Sequence, residues 1–196
     1  MLFSICGPSS CGKGTILSSL KNDFGYKEIQ NQFAREVMKK MNMTTKDISS
    51  SLENTIKFHE TLFLYKRDVE ESFVSSKEVF LTERSFIDFY IYYSLILDSF
   101  DKNQESKSIL DNYYMRCLEY SLRFYSSIFF VSEIPHIEDD GIRIVDINFI
   151  NKQKELFDII FSKRCFQGKV IKVMSRDKQE RRDFISSEIN RIKTKT

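Results

Sequence analysis

Short runs of consecutive apolar residues alternate along this chain with longer stretches in which apolar positions recur every three or four residues. That alternation is the pattern of buried strands separated by amphipathic helices. Residues 1–6 (Met-Leu-Phe-Ser-Ile-Cys) read as a first strand, and Ile16-Leu-Ser-Ser-Leu20 starts a helix. Residues 26–29 read as a short strand, and apolar positions 33, 34, 37, 38 and 41 share one helical face. Residues 42–45 form a polar break, 47–74 a long helix, and 78–82 a buried strand. An aromatic-rich helix over 86–97, a polar loop over 98–106 and a helix over 109–125 follow. Strands at 127–131 and 169–173 flank an amphipathic helix at 149–161, and 177–192 reads as a terminal helix.

Strict alternation of this kind predicts an α/β domain of three layers, a five-stranded parallel sheet with helices on both faces. No linker or block of like charge divides the 196 residues, so 1–196 reads as a single domain. Ligands in such folds bind beyond the carboxyl ends of the strands, which directs attention to the loops at 7–15, 30–36, 83–88, 132–143 and 174–177.

The first of these loops carries chemistry. Gly7-Pro-Ser-Ser-Cys-Gly12-Lys13-Gly14-Thr15 lies between a predicted strand and a predicted helix, the context a phosphate-binding loop requires. Gly7 and Gly12 free the backbone to turn its N–H groups of Ser9, Ser10 and Cys11 onto phosphate oxygens. Lys13 adds a point charge for the β- and γ-phosphates, and the helix start adds aligned dipoles. The Ser or Thr that commonly follows the lysine as a magnesium ligand is replaced by Gly14, with Thr15 one position later. Thr15 is thus the candidate for supporting the metal or the α-phosphate.

Composition narrows the partners. Lys plus Arg number 30 against 28 Asp plus Glu, a balance that gives no argument for duplex nucleic acid or a membrane surface as partner. No apolar run approaches the ~18 residues of a membrane span, and the first strand begins at residue 2, so a cytoplasmic protein is expected. Cys6, Cys11, Cys117 and Cys165 show no paired spacing and read as reduced thiols. His59 and His136 are too far apart in sequence to suggest a metal site. Most of the 18 Phe and nine Tyr read as core; Phe33, Phe58 and the group Phe86, Phe89, Tyr90, Tyr92 and Tyr93 include candidates for lining an acceptor pocket.

At the end of the third strand, Thr82-Glu83-Arg84-Ser85 places a carboxylate and a guanidinium beside the phosphate loop. Glu83 can order magnesium waters or accept a proton from an attacking hydroxyl, and Arg84 can grip a phosphoryl group through its planar fork.

The chain resembles a family at these residues. Gly12-Lys-Gly-Thr15 is similar to the loop of adenylate kinase and its relatives. Glu83-Arg84-Ser85-Phe-Ile-Asp88 resembles the Asp/Glu-Arg-Ser-x-x-Asp stretch of nicotinamide riboside kinase-like P-loop ATP-binding proteins of AAA type, a form also seen in deoxynucleoside kinases. Asp140-Gly141-Ile142-Arg143 resembles that family's Asp-Gly-hydrophobic-Arg segment, which implies a mobile lid over about 134–145 with Arg143 reaching the donor phosphates. Ser175-Arg176-Asp177 falls where related kinases wrap the adenine. One departure stands out: Gln32 occupies the place of a glutamate that in relatives precedes Ala-Arg-Glu, leaving the base role to Glu83, to Glu36 or to neither. Arg35 keeps its match and is a candidate for an acceptor phosphate or ribose, with Asp88 supporting the acceptor.

Taken with the loop, the resemblance implies an ATP- and Mg2+-dependent phosphotransferase acting on a nucleoside, nucleotide or similar small acceptor. Two alternatives stay open. A polynucleotide or modified-DNA kinase would need a strand-binding groove that near neutrality does not advertise. A nucleotide-binding switch would carry an apolar run ending in Asp-Glu, of which Ile128–Glu133 is a weak echo. Assembly as a homodimer is also left open.

Overall fold

The computed structural model describes residues 1–29, 32–100, 104–134 and 146–195. Five strands, β1 (Leu2–Cys6), β2 (Lys27–Glu28), β3 (Phe80–Glu83), β4 (Ser127–Val131) and β5 (Val170–Val173), form one sheet in the order β2-β3-β1-β4-β5. Every pairing is parallel. The predicted fold class is therefore observed. The strand order, which periodicity does not reveal, reverses direction around β1, and sheets of this kind bind ligands beyond the carboxyl ends of the strands at that point.

Side chains of β1 and β4 alternate between two cores. Phe3, Ile5, Phe129 and Val131 point to one face with α1 (Lys13–Phe24) and α8 (Lys178–Lys193), which contribute Leu17, Leu20, Ile185 and Ile189. Leu2, Cys6, Ile128 and Phe130 point to the other. There they meet α2 (Phe33–Met41), α3 (Thr45–Ile48), α4 (Leu52–Glu71), α5 (Phe86–Leu97), α6 (Gln104–Phe124) and α7 (Ile147–Phe161). Full burial of β1 and β4 on both faces explains their unbroken apolar runs. No described helix is long and apolar enough to cross a membrane.

Two predicted boundaries are corrected. The helix expected over 47–74 is two helices, because serines interrupt it with local hydrogen bonds. Ser51 adopts an extended backbone (φ −150, ψ 155) and its hydroxyl accepts from Asn54 N–H, starting α4 afresh. Ser50 Oγ and Asn54 Nδ2 donate to the Asp47 carbonyl at 2.7 and 3.1 Å, closing the end of α3, which Thr44 and Asp47 open as a capping box. The loop expected over 98–106 is shorter, since α6 begins at Gln104.

The core holds an unpaired imidazole. His59 on α4 is 2% exposed, stacks on Tyr93 with ring centroids 4.5 Å apart, and neither ring nitrogen has a partner among the described residues. Burial lowers its pKa to about 3 from an ordinary 6.5. Between those values the unfolded chain binds a proton that the folded chain refuses, so this residue's share of stability is complete above pH 6.5 and falls on acidification. The loss amounts to about 1.4 kcal/mol per pH unit. Urea unfolding of the wild type and a His59→Leu variant should therefore diverge below pH 6, the wild type losing stability more steeply; parallel profiles down to pH 4 would contradict this placement.

Candidate functional site

The phosphate loop starts where β1 ends. Gly7 has φ +144, and a Cβ built on it would lie 2.3 Å from the Val131 carbonyl oxygen, so neither the backbone angle nor the close approach of β4 admits a side chain. Gly12, at φ +88, turns the chain into α1. Lys13 is 4% exposed and folds back over the loop, its Nζ donating to the carbonyls of Gly7 (2.9 Å) and Pro8 (2.7 Å) and approaching Cys11 Sγ at 3.5 Å. Ser9 is held from two sides: its N–H donates to Gln153 Oε1 of α7 at 2.8 Å, and its hydroxyl pairs with Tyr92 Oη of α5. Ser10 takes a left-handed backbone (φ 62), Cys11 is buried, and Thr15 is exposed on the first turn of α1.

Register delivers the second part. Ile5 pairs with Glu83, so the residues leaving β3 emerge alongside Gly7. Glu83 Oε2 lies 3.8 Å from where a Cβ of Gly14 would sit, which sets the carboxylate against the start of α1. Arg84 has φ 68, a costly angle for a residue with a side chain, yet its N–H still donates to Ile5 O at 2.9 Å. Its guanidinium lies 4.9 Å from the Tyr92 ring centre and 3.9 Å from Asp88 Oδ1.

Asp88, read in the sequence as an acceptor-side residue, is fully buried and occupied structurally. Its carboxylate accepts from Ser85 N–H (2.7 Å) and Ser85 Oγ (2.8 Å), capping α5, and from Gly7 N–H at 3.4 Å. Burial raises its pKa against the pull of Arg84 and Lys13. Burial works against the charge on Arg84, but Tyr92, Glu83 and Asp88 outweigh it and raise that pKa. Tyr92 is likewise opposed by burial, and the cations of Arg84 and Lys13 bring its pKa below the ordinary phenol value.

Arg35 lies exposed on α2, apart from this cluster of contacts. Glu36, the alternative base, accepts a hydrogen bond from Tyr65 Oη at 2.6 Å. Arg143 and the segment read as a lid fall, except for Ile134, outside the described residues. Of the aromatic candidates, Phe33, Phe58, Phe86, Phe89 and Tyr93 are core residues, whereas Tyr92 reaches the phosphate loop. Gln153 and Arg181, whose Nη1 donates to Cys11 O at 2.7 Å, carry no motif, and Tyr92 reads in the sequence as a candidate for the acceptor pocket rather than as a partner of the loop. Their role follows from long-range packing of α7, α5 and α8 onto the loop, for which local spacing carries no signal. Lys66 of α4 was missed for the same reason: it is fully buried under the end of β3, donating to Glu70 Oε1 (2.6 Å) and Thr82 Oγ1 (3.0 Å).

A parallel sheet ordered β2-β3-β1-β4-β5, with a glycine-rich lysine loop at the end of its central strand and Glu-Arg beside it, has the fold of the P-loop kinases. The chain belongs to the AAA domain family, whose model matches residues 2–181. No curated protein sequence matches it. Among solved structures it is similar to NadR protein in complex with NAD and AMP-PNP (TM-score 0.70, 14% identity, 96% of this chain and 48% of that chain). It is similar also to deoxyadenosine kinase from M. mycoides with bound dATP (TM-score 0.68, 12% identity, 97% and 100%). A third is shikimate kinase from Acinetobacter baumannii in complex with shikimate (TM-score 0.54, 13% identity, 100% and 94%). The chain thus spans about half the length of the NadR chain and nearly all of the two kinases.

Proposed function

We propose that the protein transfers the γ-phosphoryl group of ATP to a hydroxyl of a nucleoside, nucleotide or similarly sized acceptor. The observation that carries this reading is the convergence of Lys13, Glu83 and Arg84 on one loop. A buried ammonium, a carboxylate facing the start of α1 and a guanidinium on a strained turn are the charges phosphoryl transfer uses. In this reading the loop N–H groups and Lys13 hold the donor phosphates, with Lys13 exchanging the carbonyls of Gly7 and Pro8 for phosphate oxygens. Arg84 neutralises charge that builds on the migrating group, and Asp88 acts by fixing the turn that presents Arg84. Arg35 is kept as a candidate contact for an acceptor phosphate or ribose. The acceptor class follows the similar proteins, whose names and ligands are nucleosides or nucleotides in two cases of the three.

Among the described residues no cluster of three or more His, Cys, Asp or Glu side chains could cage a metal. Glu83 and Thr15 are hard oxygen donors flanking the loop, and they fit a magnesium ion held mainly by phosphates and water. Such an ion would neutralise phosphate charge when bound. Glu83 would hold its waters or take the acceptor proton.

Glu83→Gln keeps the side chain's size and removes its charge. It should lower kcat on the order of 10²-fold with little change in ATP affinity. A kcat within a few-fold of wild type would make Glu83 a plain strand end. The function itself is tested by ADP release from ATP across nucleosides, nucleoside monophosphates, shikimate and short oligonucleotides. Release that depends on one of the small acceptors supports the proposal; dependence on oligonucleotides alone favours a polynucleotide kinase.

A further inference from the structure

Arg181, on the second turn of α8, is 1% exposed, and its guanidinium is spent on three backbone carbonyls. Nη1 donates to Cys11 O at 2.7 Å, Nη2 to Glu133 O at 2.7 Å and Nε to Ser175 O at 2.5 Å. Each carbonyl belongs to a different loop: the phosphate loop after β1, the segment after β4 and the turn after β5. All three leave the carboxyl edge of the sheet, where the candidate nucleotide site lies. The Cys11 carbonyl directly precedes Gly12, the φ +88 turn that aims the loop into α1. Burying a guanidinium against neutral carbonyls gives up hydration, which the three hydrogen bonds it donates offset. The planar fork can address all three carbonyls together, and a lysine ammonium has no comparable geometry.

We infer that Arg181 is a positioning residue that locks the phosphate loop in register with the loops after β4 and β5, so that a ligand's phosphates and its base are received as one unit. This rests on the nucleotide reading above and adds to it a coupling between two halves of the site. Arg182, the next residue of α8, serves as an internal comparison. Its guanidinium donates to Asp23 of α1 and to Asp183, which ties α8 to α1 and leaves out all three loops.

The coupling separates two probes. ATP spans both halves of the site, whereas tripolyphosphate offers only phosphates. Isothermal titration should show the preference for ATP over tripolyphosphate falling about tenfold in Arg181→Met, a fold-change ordinary for a coupling between sites. Arg181→Lys should lie closer to Arg181→Met than to wild type, and Arg182→Ala should keep the wild-type preference. A purely structural role would lower the melting temperature and leave the preference intact. A preference unchanged within twofold in both Arg181 variants would overturn the inference. Should the variants not fold, hydrogen exchange of the wild-type chain decides. Tripolyphosphate slowing exchange at 132–134 and 174–177 as well as at 7–15 supports the coupling, and slowing at 7–15 alone overturns it. A wild-type chain that binds neither probe overturns instead the nucleotide reading beneath it.

Discussion

The Lys13→Ala variant is expected to lose on the order of 10³-fold in kcat/KM for ATP while remaining folded. In the proposed reading the side chain is the cation that meets the β- and γ-phosphates, and backbone N–H groups cannot replace a full positive charge there. Its removal leaves the Gly7 and Pro8 carbonyls without the bonds it donates at 2.9 and 2.7 Å. Those bonds are worth about 1 kcal/mol each, so the melting temperature should fall by a few degrees rather than collapse. Lys13→Arg should fail almost as completely, because a planar guanidinium does not fit the space a compact ammonium fills between those carbonyls. Steady-state kinetics beside a thermal melt checks both halves. Full turnover by a folded Lys13→Ala protein removes the loop from the mechanism.

The second large effect falls on stability. Lys66 and Glu70 are both fully buried, joined at 2.6 Å, and the second Glu70 oxygen accepts from Tyr125 Oη at 2.8 Å. Burial lowers the Lys66 pKa, and the carboxylate of Glu70 opposes the shift. Lys66 also lies 4.3 Å from the Phe33 ring centre and supports the end of β3 through Thr82. Lys66→Met strands Glu70 as a buried carboxylate and should destabilise by about 3–5 kcal/mol, roughly 10 °C in melting temperature. Adding Glu70→Gln should recover a good part of that loss, since the pair rather than either residue satisfies the core. Urea denaturation of both variants measures it; a single variant within 1 kcal/mol of wild type would mean that the pair contributes little.

How much of this was legible beforehand depends on the range of the interactions. Glycines, Lys13 and the flanking apolar runs occupy adjacent positions, so the phosphate loop and the strand-helix alternation could be read from spacing alone. Glu83 and Arg84 were legible because parallel register carries the end of β3 to the loop. By contrast Tyr92, Gln153 and Arg181 reach the loop across 83, 144 and 170 residues of chain, a separation at which a sequence pattern carries no geometric information. Asp88 was visible as a residue, but its position three residues after Ser85 also makes a capping box, and the structure uses it so. The single helix drawn through 47–74 failed because apolar periodicity continued across Ser49–Ser51, whose side chains bond locally instead of continuing the helix.

The central claim, that this loop and its neighbouring carboxylate move a phosphoryl group to a hydroxyl, is tested most directly by following label from γ-32P-ATP. Wild-type protein, Mg2+ and a panel of nucleosides and nucleotides should yield label in a phosphorylated acceptor, with equimolar ADP and none of this in Lys13→Ala. Label released only as inorganic phosphate, at a rate indifferent to every acceptor, would contradict the account and leave a nucleotide hydrolase or switch in its place.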